Sequence, residues 1–412
     1  MKIMKVSFVY LEYIKKIYDS KEYLSDKSYM DQWNALLYDR CGWSDSWQHA
    51  LSKIGYEVHE VIANVKSLQY AWARDHGFIP RDQHWFQEIL EWQIQHESPD
   101  ILFMFDCVSY DPKWVASLKN ICRTLKLIIV WCGTPYRSTN ILSSYDLVLS
   151  CSPEMVYNIR KSGTTAEYLP HAFDPRILPQ LSLSQKKYAI SFAGSLLRDV
   201  PFHREREEIL EKLNEARNVD IFSPSYSIQT SALQRCIRSG LFTSAHILKK
   251  IGIPTSYIYK IPHVSRGLDF QWGRFDPVSP KLEGKMHPAV YGLDMFQVLA
   301  DSNIAFNHNS NEVSEKYATN IRMFEATGVG TCLLTDWKEH ISDFFEPDKE
   351  IVTYRSAEEC VEKAKWLLDN PEDRERIAKA GQEKTLREHT FEKRAERFDI
   401  IVKNELKQHE AK

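Results

Sequence analysis

The chain has 412 residues, 43% of them hydrophobic and 26% charged, with a formal net charge of -3. That length exceeds what one hydrophobic core ordinarily serves, so two domains are expected, and the composition is that of a globular protein. The charge balance leaves no broad basic footprint for nucleic acid, so no nucleic-acid partner is expected. No apolar run approaches the roughly 18 residues of a membrane-spanning helix, although peripheral membrane contact stays open.

The N-terminal apolar run is strand-like and too short for a secretory signal, which makes a cytoplasmic location the expectation. Cys41, Cys107, Cys122, Cys132, Cys151, Cys236, Cys332 and Cys360 form no CxxC pair. Reduced, buried thiols fit that pattern better than disulfides or a zinc site.

Strand-like segments follow at Lys5–Tyr10, Glu57–Ala63, Asp100–Phe105, Leu127–Trp131, Asp146–Ser150 and Glu167–Leu169. Between them run helix-period segments near Met30–Ile54, Gln83–His96, Pro112–Leu125 and Pro153–Lys161. Alternating β and α segments predict a parallel sheet with helices on both faces. Pro170, Pro175 and Pro179, then a polar stretch, predict an interdomain linker.

The rhythm restarts at Tyr188–Ser195 and continues with strands at Val219–Phe222, Asn303–Asn307, Thr331–Thr335 and Glu350–Tyr354. Its helices are expected near Phe202–Arg217, Gly292–Ser302, Asn320–Thr327, Ala357–Leu368 and Pro371–Arg387. From Ser223 to about Val290 the pattern breaks into an apolar helical run, Ala232–Ile251, and a stretch with Pro262, Trp272, Pro277, Pro280 and Pro288. It reads as an insertion that covers the cleft or recognises the acceptor, or else packs at the domain edge. Two such α/β halves place a crevice at the carboxyl ends of their strands, where ligands bind.

Candidate site residues cluster at those ends. Asn320 heads a helix carrying Arg322 and Glu325 one turn apart on one face, and Gly328 and Gly330 close it before a buried strand. Helix-start N–H groups and a cation suit a diphosphate, and a carboxylate suits ribose hydroxyls. The bland alternative is an exposed Arg–Glu pair. Gly194 and Ser195 end a strand before a helix and let backbone approach a phosphate, with Arg198 close behind. His308 and Asn309 lie in an amide-rich strand tip suited to sugar hydroxyls, or to ordinary loop capping. In the first half, Asp106, Gly133 and Thr134 sit just past strands, and His171 lies in the linker. Asp106 serves an acceptor hydroxyl or caps the following helix; His171 serves a ligand or the hinge. P-loop, GxGxxG, HExxH and GxSxG signatures are missing from their expected places, and no DxD motif ends a strand. A diphosphate is therefore expected to be neutralised by basic residues and helix dipoles, without a metal.

Asn320-x-Arg322-x-Phe324-Glu325-Ala326-x-Gly328 is followed by Cys332–Asp336, Phe344–Pro347, Glu350–Tyr354 and His389–Phe391. Together these resemble the C-terminal signature of the CgeB-like group of GT-B glycosyltransferases, similar to the spore-maturation protein and to "glycosyl transferases group 1". The likeness is strong over Tyr291–Phe398 and weaker over Leu127–Pro175 and Ile190–Leu210. It implies an α/β fold of two Rossmann-like domains facing across a cleft, with C-terminal helices packing back toward the first. The implied division is an acceptor-side domain at 1–180, a nucleotide-sugar domain at 181–395 with an insertion near 223–290, and a C-terminal helix at 396–412. Glu325 matches the second Glu of the retaining group's E-x7-E pattern, which contacts ribose. Tyr317 occupies the first Glu's place, a departure from the pattern. The implied activity is metal-independent transfer, of the hexosyltransferase type, from a nucleotide-diphosphate sugar to a hydroxyl of a bacterial glycan or glycoconjugate, with no cofactor. Asp106, His308 and Arg322 are then the catalytic candidates. A nucleotide-sugar epimerase of the same architecture and a non-catalytic glycan-binding protein are the alternatives.

Overall fold

Two parallel sheets organise the molecule. The first joins β1 (Lys2–Ser7), β2 (Glu57–Ile62), β3 (Ile101–Met104), β4 (Leu127–Trp131), β5 (Leu147–Ser150) and β6 (Ala166–Tyr168) in the order β2-β1-β3-β4-β5-β6. The second joins β7 (Tyr188–Ala193), β8 (Val219–Phe222), β9 (Met286–His287), β10 (Ser302–Asn307), β11 (Cys332–Asp336) and β12 (Val352–Tyr354) in the order β12-β11-β10-β7-β8-β9. The computed structural model describes residues 1–134, 139–182, 185–196, 201–228, 232–251, 253, 261, 264, 278–309, 314 and 316–410.

Strands β3, β4 and β5 are buried along their whole length, the signature of a parallel sheet covered on both faces. Side chains alternate between those faces. On one, Met4, Leu102, Met104 and Val130 meet α5 (Trp85–Glu97), α6 (Pro112–Ile121) and α7 (Pro153–Lys161). On the other, Ile3, Ile101, Phe103 and Ile129 meet Trp47 and Leu51 of α3 (Ser46–Lys53). Phe391, Phe398 and Val402 of the last helix, which runs from Phe391 to Glu410, complete that face. The C-terminal helix thus belongs to the core of the first lobe.

The expected elements and the fold differ at β1, over Met30–Ile54, at two helices of the first lobe and at the edge strand β9. β1 begins at Lys2 and ends at Ser7, earlier than its hydropathy indicates, because Lys5 lies inside the strand. Its Nζ is 2.7 Å from Glu60 Oε1 on β2, and both residues are buried. The expected helix over Met30–Ile54 is two, α2 (Tyr29–Tyr38) and α3, parted by a turn in which Arg40, Gly42 and Ser44 all have positive φ. Helices α1 (Leu11–Ser20) and α4 (Lys66–Asp75) were not legible; neither has a capping side chain at its start.

In the second lobe α8 (Pro201–Ala216), α10 (Gly292–Ala300), α11 (Arg322–Gly328), α12 (Ala357–Asp369) and α13 (Pro371–Glu388) flank the sheet. The insertion supplies α9 (Ala232–Lys250) and then returns through Pro280–Lys285 to the edge strand β9. Pro262, Trp272 and Pro277 lie outside the described residues. The last helix is α14.

The lobes meet along a bonded seam. Asp174 Oδ2 accepts from Ser46 Oγ at 2.7 Å, and Arg176 Nη2 lies 2.9 Å from Asp45 Oδ1. Leu293 N donates to the Asp39 carbonyl at 2.8 Å, Ser314 Oγ to Glu154 Oε2 at 2.7 Å, and Cys151 Sγ contacts the Thr319 carbonyl at 3.7 Å. Arg394 of α14 donates to the Pro170 and His171 carbonyls of the linker at 3.1 and 3.0 Å.

Candidate functional site

The carboxyl edge of the second sheet gathers most of the candidate residues. Asn307 closes β10, and its Nδ2 donates to Thr335 Oγ1 on β11 at 2.9 Å. Beyond it Asn309, fully buried, receives a clamp from Asp336: Oδ1 accepts from the Asn309 backbone N at 2.7 Å and from its Nδ2 at 2.9 Å. Asn309 Oδ1 in turn accepts from the backbone N–H groups of Thr319 and Asn320 at 3.3 and 3.2 Å. Asn320 Nδ2 reaches Asn307 Oδ1 at 2.8 Å. Strand tips and the entry to α11 are thereby one hydrogen-bonded unit.

That unit changes one expectation. The N–H groups at the start of α11 are not open to an anion. Arg322 N donates to Asn320 Oδ1 at 2.9 Å, and Met323, Phe324 and Glu325 donate to the carbonyls of Asn320 and Ile321. Asn320 is a strut here, and the cationic contribution on α11 comes from the Arg322 side chain.

Arg322 Nη2 donates to the Ala193 carbonyl at 3.2 Å, which ties α11 to the Gly194–Ser195 turn, and its Nη1 contacts the Met295 sulfur. Nη1 is also 2.7 Å from Glu325 Oε2. The N–H is not aimed along that line, so the buried oxygen takes no well-directed hydrogen bond. Burial, opposed by Arg322, raises the Glu325 pKa above the usual carboxylate range. An acceptor in that state is suited to a hydroxyl donor.

A second arginine bridges the neighbouring tips. Arg206, buried on α8, donates from Nη1 to the Ser195 carbonyl at 3.0 Å and from Nη2 to the His308 carbonyl at 2.8 Å. Burial pushes its pKa down to about 10. In the sequence it stands out, with His203 and Arg204, only as charge near the start of the helix after the Gly194–Ser195 turn. Gly194 leaves no room for a side chain, since a Cβ there would sit 2.8 Å from the Phe192 ring.

His308 lies between Tyr354 and Glu205. Its Nδ1 is 2.9 Å from the Tyr354 hydroxyl, which also lies 3.2 Å from the Asn307 carbonyl. The network closes when Tyr354 donates to that carbonyl and Nδ1–H donates to Tyr354. Nε2 is then a bare acceptor, 3.6 Å from Glu205 Oε2 and without a hydrogen bond. Burial lowers the His308 pKa, against the pull of Asp336 and Glu205, and holds the ring neutral.

On the first lobe the tips are less connected. Asp106 folds onto its own loop, accepting from Val108 N at 2.7 Å and from Ser109 Oγ, as a cap does. Gly133 lies just past β4 beside Trp131 and Cys151, where a Cβ would meet Trp131 Nε1 at 2.8 Å; Thr134 next to it is exposed. His171 sits at the seam between the Trp43 and Trp131 rings, with centroids 6.0 and 5.2 Å away, and burial then Arg394 push its pKa down to about 3. Tyr317 turns from the α11 cluster to pack against His340, 4.7 Å between centroids. Arg198 lies outside the described residues.

Tyr10, expected at the end of the first strand, lies beyond β1. It is 67% exposed, and its ring lies 6.0 Å from that of Tyr291, the residue ahead of α10 on the other lobe. Crowding by surrounding protein, then the charges of Cys41 and Glu325, raise its pKa against Arg322. A residue open to solvent and hemmed by both lobes is a crevice residue. Among the described residues no three His, Cys, Asp or Glu side chains gather as a metal-holding group.

Solved structures share this architecture from end to end. A glycosyltransferase from Rickettsia africae ESF-5 superposes with a TM-score of 0.53 at 9% identity, covering 98% of each chain. Sucrose-phosphate synthase from Thermosynechococcus elongatus gives 0.51 at 11%, again covering 98% of both. Anabaena Alr3699/HepE, solved in complex with UDP and glucose, gives 0.51 at 11%, covering 98% of this chain and 100% of that one. The fold is GT-B. Residues 253–399 match the family described as glycosyl transferase-like. No curated protein matches the chain.

Proposed function

We propose that this GT-B chain is a glycosyltransferase of the CgeB-like kind. It takes a nucleotide-diphosphate sugar on the carboxyl edge of the second sheet and delivers the sugar to a hydroxyl of a glycan or glycoconjugate held against the first. The observation that carries this reading is the pairing of Arg322 with the undirected Glu325 carboxylate at the seam, one turn of α11 supplying a cation and a hydroxyl acceptor. Arg322 neutralises the diphosphate as the glycosidic bond breaks, and Glu325 accepts from the ribose hydroxyls. Gly194 and Ser195 lie against the phosphates, and His308 Nε2 accepts from a sugar hydroxyl. Asp106, Gly133, Thr134 and His171 line the acceptor side. Transfer is metal-independent and retaining in this reading.

The family match over 253–399 and the UDP and glucose bound by the Anabaena protein support the donor class. The test is a thermal-shift panel of UDP, GDP, CMP and dTDP sugars with and without EDTA. One donor at about 100 times its Kd should stabilise the fold by roughly 2.7 kcal/mol, unaffected by chelation. Incubating that donor alone must leave its sugar unchanged, which separates a transferase from an epimerase, and NMR of the product anomer tests retention. No stabilisation by any nucleotide would remove the reading.

A further inference from the structure

Helix α9 carries a feature that sugar transfer does not use. It is 19 residues long and holds Arg235, Arg238, Lys249 and Lys250 with no aspartate or glutamate, in a chain whose net charge is -3. Ile237, Leu241 and Leu248 recur at helical spacing on one stripe, extended by Ile251, whose N–H still bonds the Ile247 carbonyl at 3.0 Å. Ala245, at the margin of that stripe, is fully buried. Leu241 and Leu248 are half-buried, whereas Ile237 and the neighbouring Ile247 are 54% exposed and Ile251 67%. Single exposed isoleucines are ordinary, but three on one face of one basic helix are not. His246, Lys249 and Lys250 lie exposed away from the stripe.

We infer that α9 is a membrane-surface anchor, lying in the plane of an anionic bilayer with its isoleucines at the headgroup–acyl boundary and Lys249 and Lys250 on lipid phosphates. A low-acid, basic amphipathic helix has the chemistry of an interfacial rather than a spanning segment. Consistently, no helix among the described residues is long and apolar enough to cross a membrane. Charge complementarity selects the occupant. Pairing α9 with α9 of a second copy would oppose like charges, whereas anionic lipid matches them. The inference does not depend on the donor reading, because α9 contributes nothing to the cluster around Arg322.

The full chain should co-sediment with vesicles of phosphatidylcholine plus phosphatidylglycerol, and roughly tenfold less with phosphatidylcholine alone or in high salt. The exposed double variants Ile247→Ser/Ile251→Ser and Lys249→Glu/Lys250→Glu should each lose about tenfold in partitioning, with unchanged circular dichroism and melting. Three results overturn the inference: wild-type protein left in the supernatant with anionic vesicles, variants that partition like wild type, or a dimer dissolved by Ile247→Ser/Ile251→Ser in a protein that ignores vesicles.

Discussion

Glu325 shows how one residue's environment and its use are linked. Its carboxylate is buried, its pKa is raised by desolvation, and one oxygen lacks a directed donor. Glu325→Gln keeps the shape and removes the charged acceptor. A charge-assisted hydrogen bond is worth about 1.5–3 kcal/mol, so nucleotide affinity should fall by roughly tenfold to a hundredfold. Because the ionised form is the one burial disfavours, the fold should survive unchanged. Isothermal titration alongside a melting curve checks both halves. Unaltered affinity in a folded variant would remove the ribose assignment. The residue type and its spacing from Arg322 were legible in the sequence. The fastening of the Thr319–Asn320 segment ahead of α11 to Asn309 was not, since it joins residues that the fold brings together from beyond the tip of β10.

Among the elements, α10 has a start that depends on the opposite lobe. Gly292 has φ 55, and a Cβ there would collide with the Asp39 carbonyl and carboxylate beyond α2. Both the left-handed backbone and the close approach require glycine. Gly292→Ala should therefore destabilise the seam by about 1–3 kcal/mol, read as a lower urea midpoint, with little change in the second-lobe core packing of α10. An unchanged midpoint would mean that the seam there carries no stability. Elements with continuous buried runs, such as β4 and β11, were readable to within a residue. β1 was displaced because a buried ion pair places lysine where hydropathy reads solvent, and α1 and α4 lacked cap residues to mark their starts.

For the whole molecule, stability against acid rests on histidines buried where linker, α13 and α14 converge. His389 lies 2.9 Å from the Phe344 carbonyl through Nε2 and 3.0 Å from Arg394 Nη2 through Nδ1. Nε2–H donates and Nδ1 accepts, so a second proton would face a guanidinium. Burial, opposed by the Phe344 bond and reinforced by Arg394, lowers its pKa from 6.5 to about 4. A depressed folded pKa means stability that is complete above pH 6.5 and lost as pH falls toward 4, because only the unfolded chain binds the proton there. In that window one such group contributes up to about 1.4 kcal/mol per pH unit. His389→Gln should flatten the fall in melting temperature between those limits relative to wild type. An equal slope in both proteins would show that His389 does not carry it. His171, depressed to about 3, extends the same trend to lower pH.

Local order along the chain determined the alternation of strands and helices, the restart after the proline-rich linker and the Arg322–Glu325 spacing, because each depends on the periodicity of neighbouring residues. Tertiary structure alone decided that α14 completes the first lobe's core, that Arg206 binds two strand tips together, and that Tyr10 meets Tyr291 across the seam. Those relations join residues far apart in the chain, and no periodicity records which distant surfaces will be buried against each other.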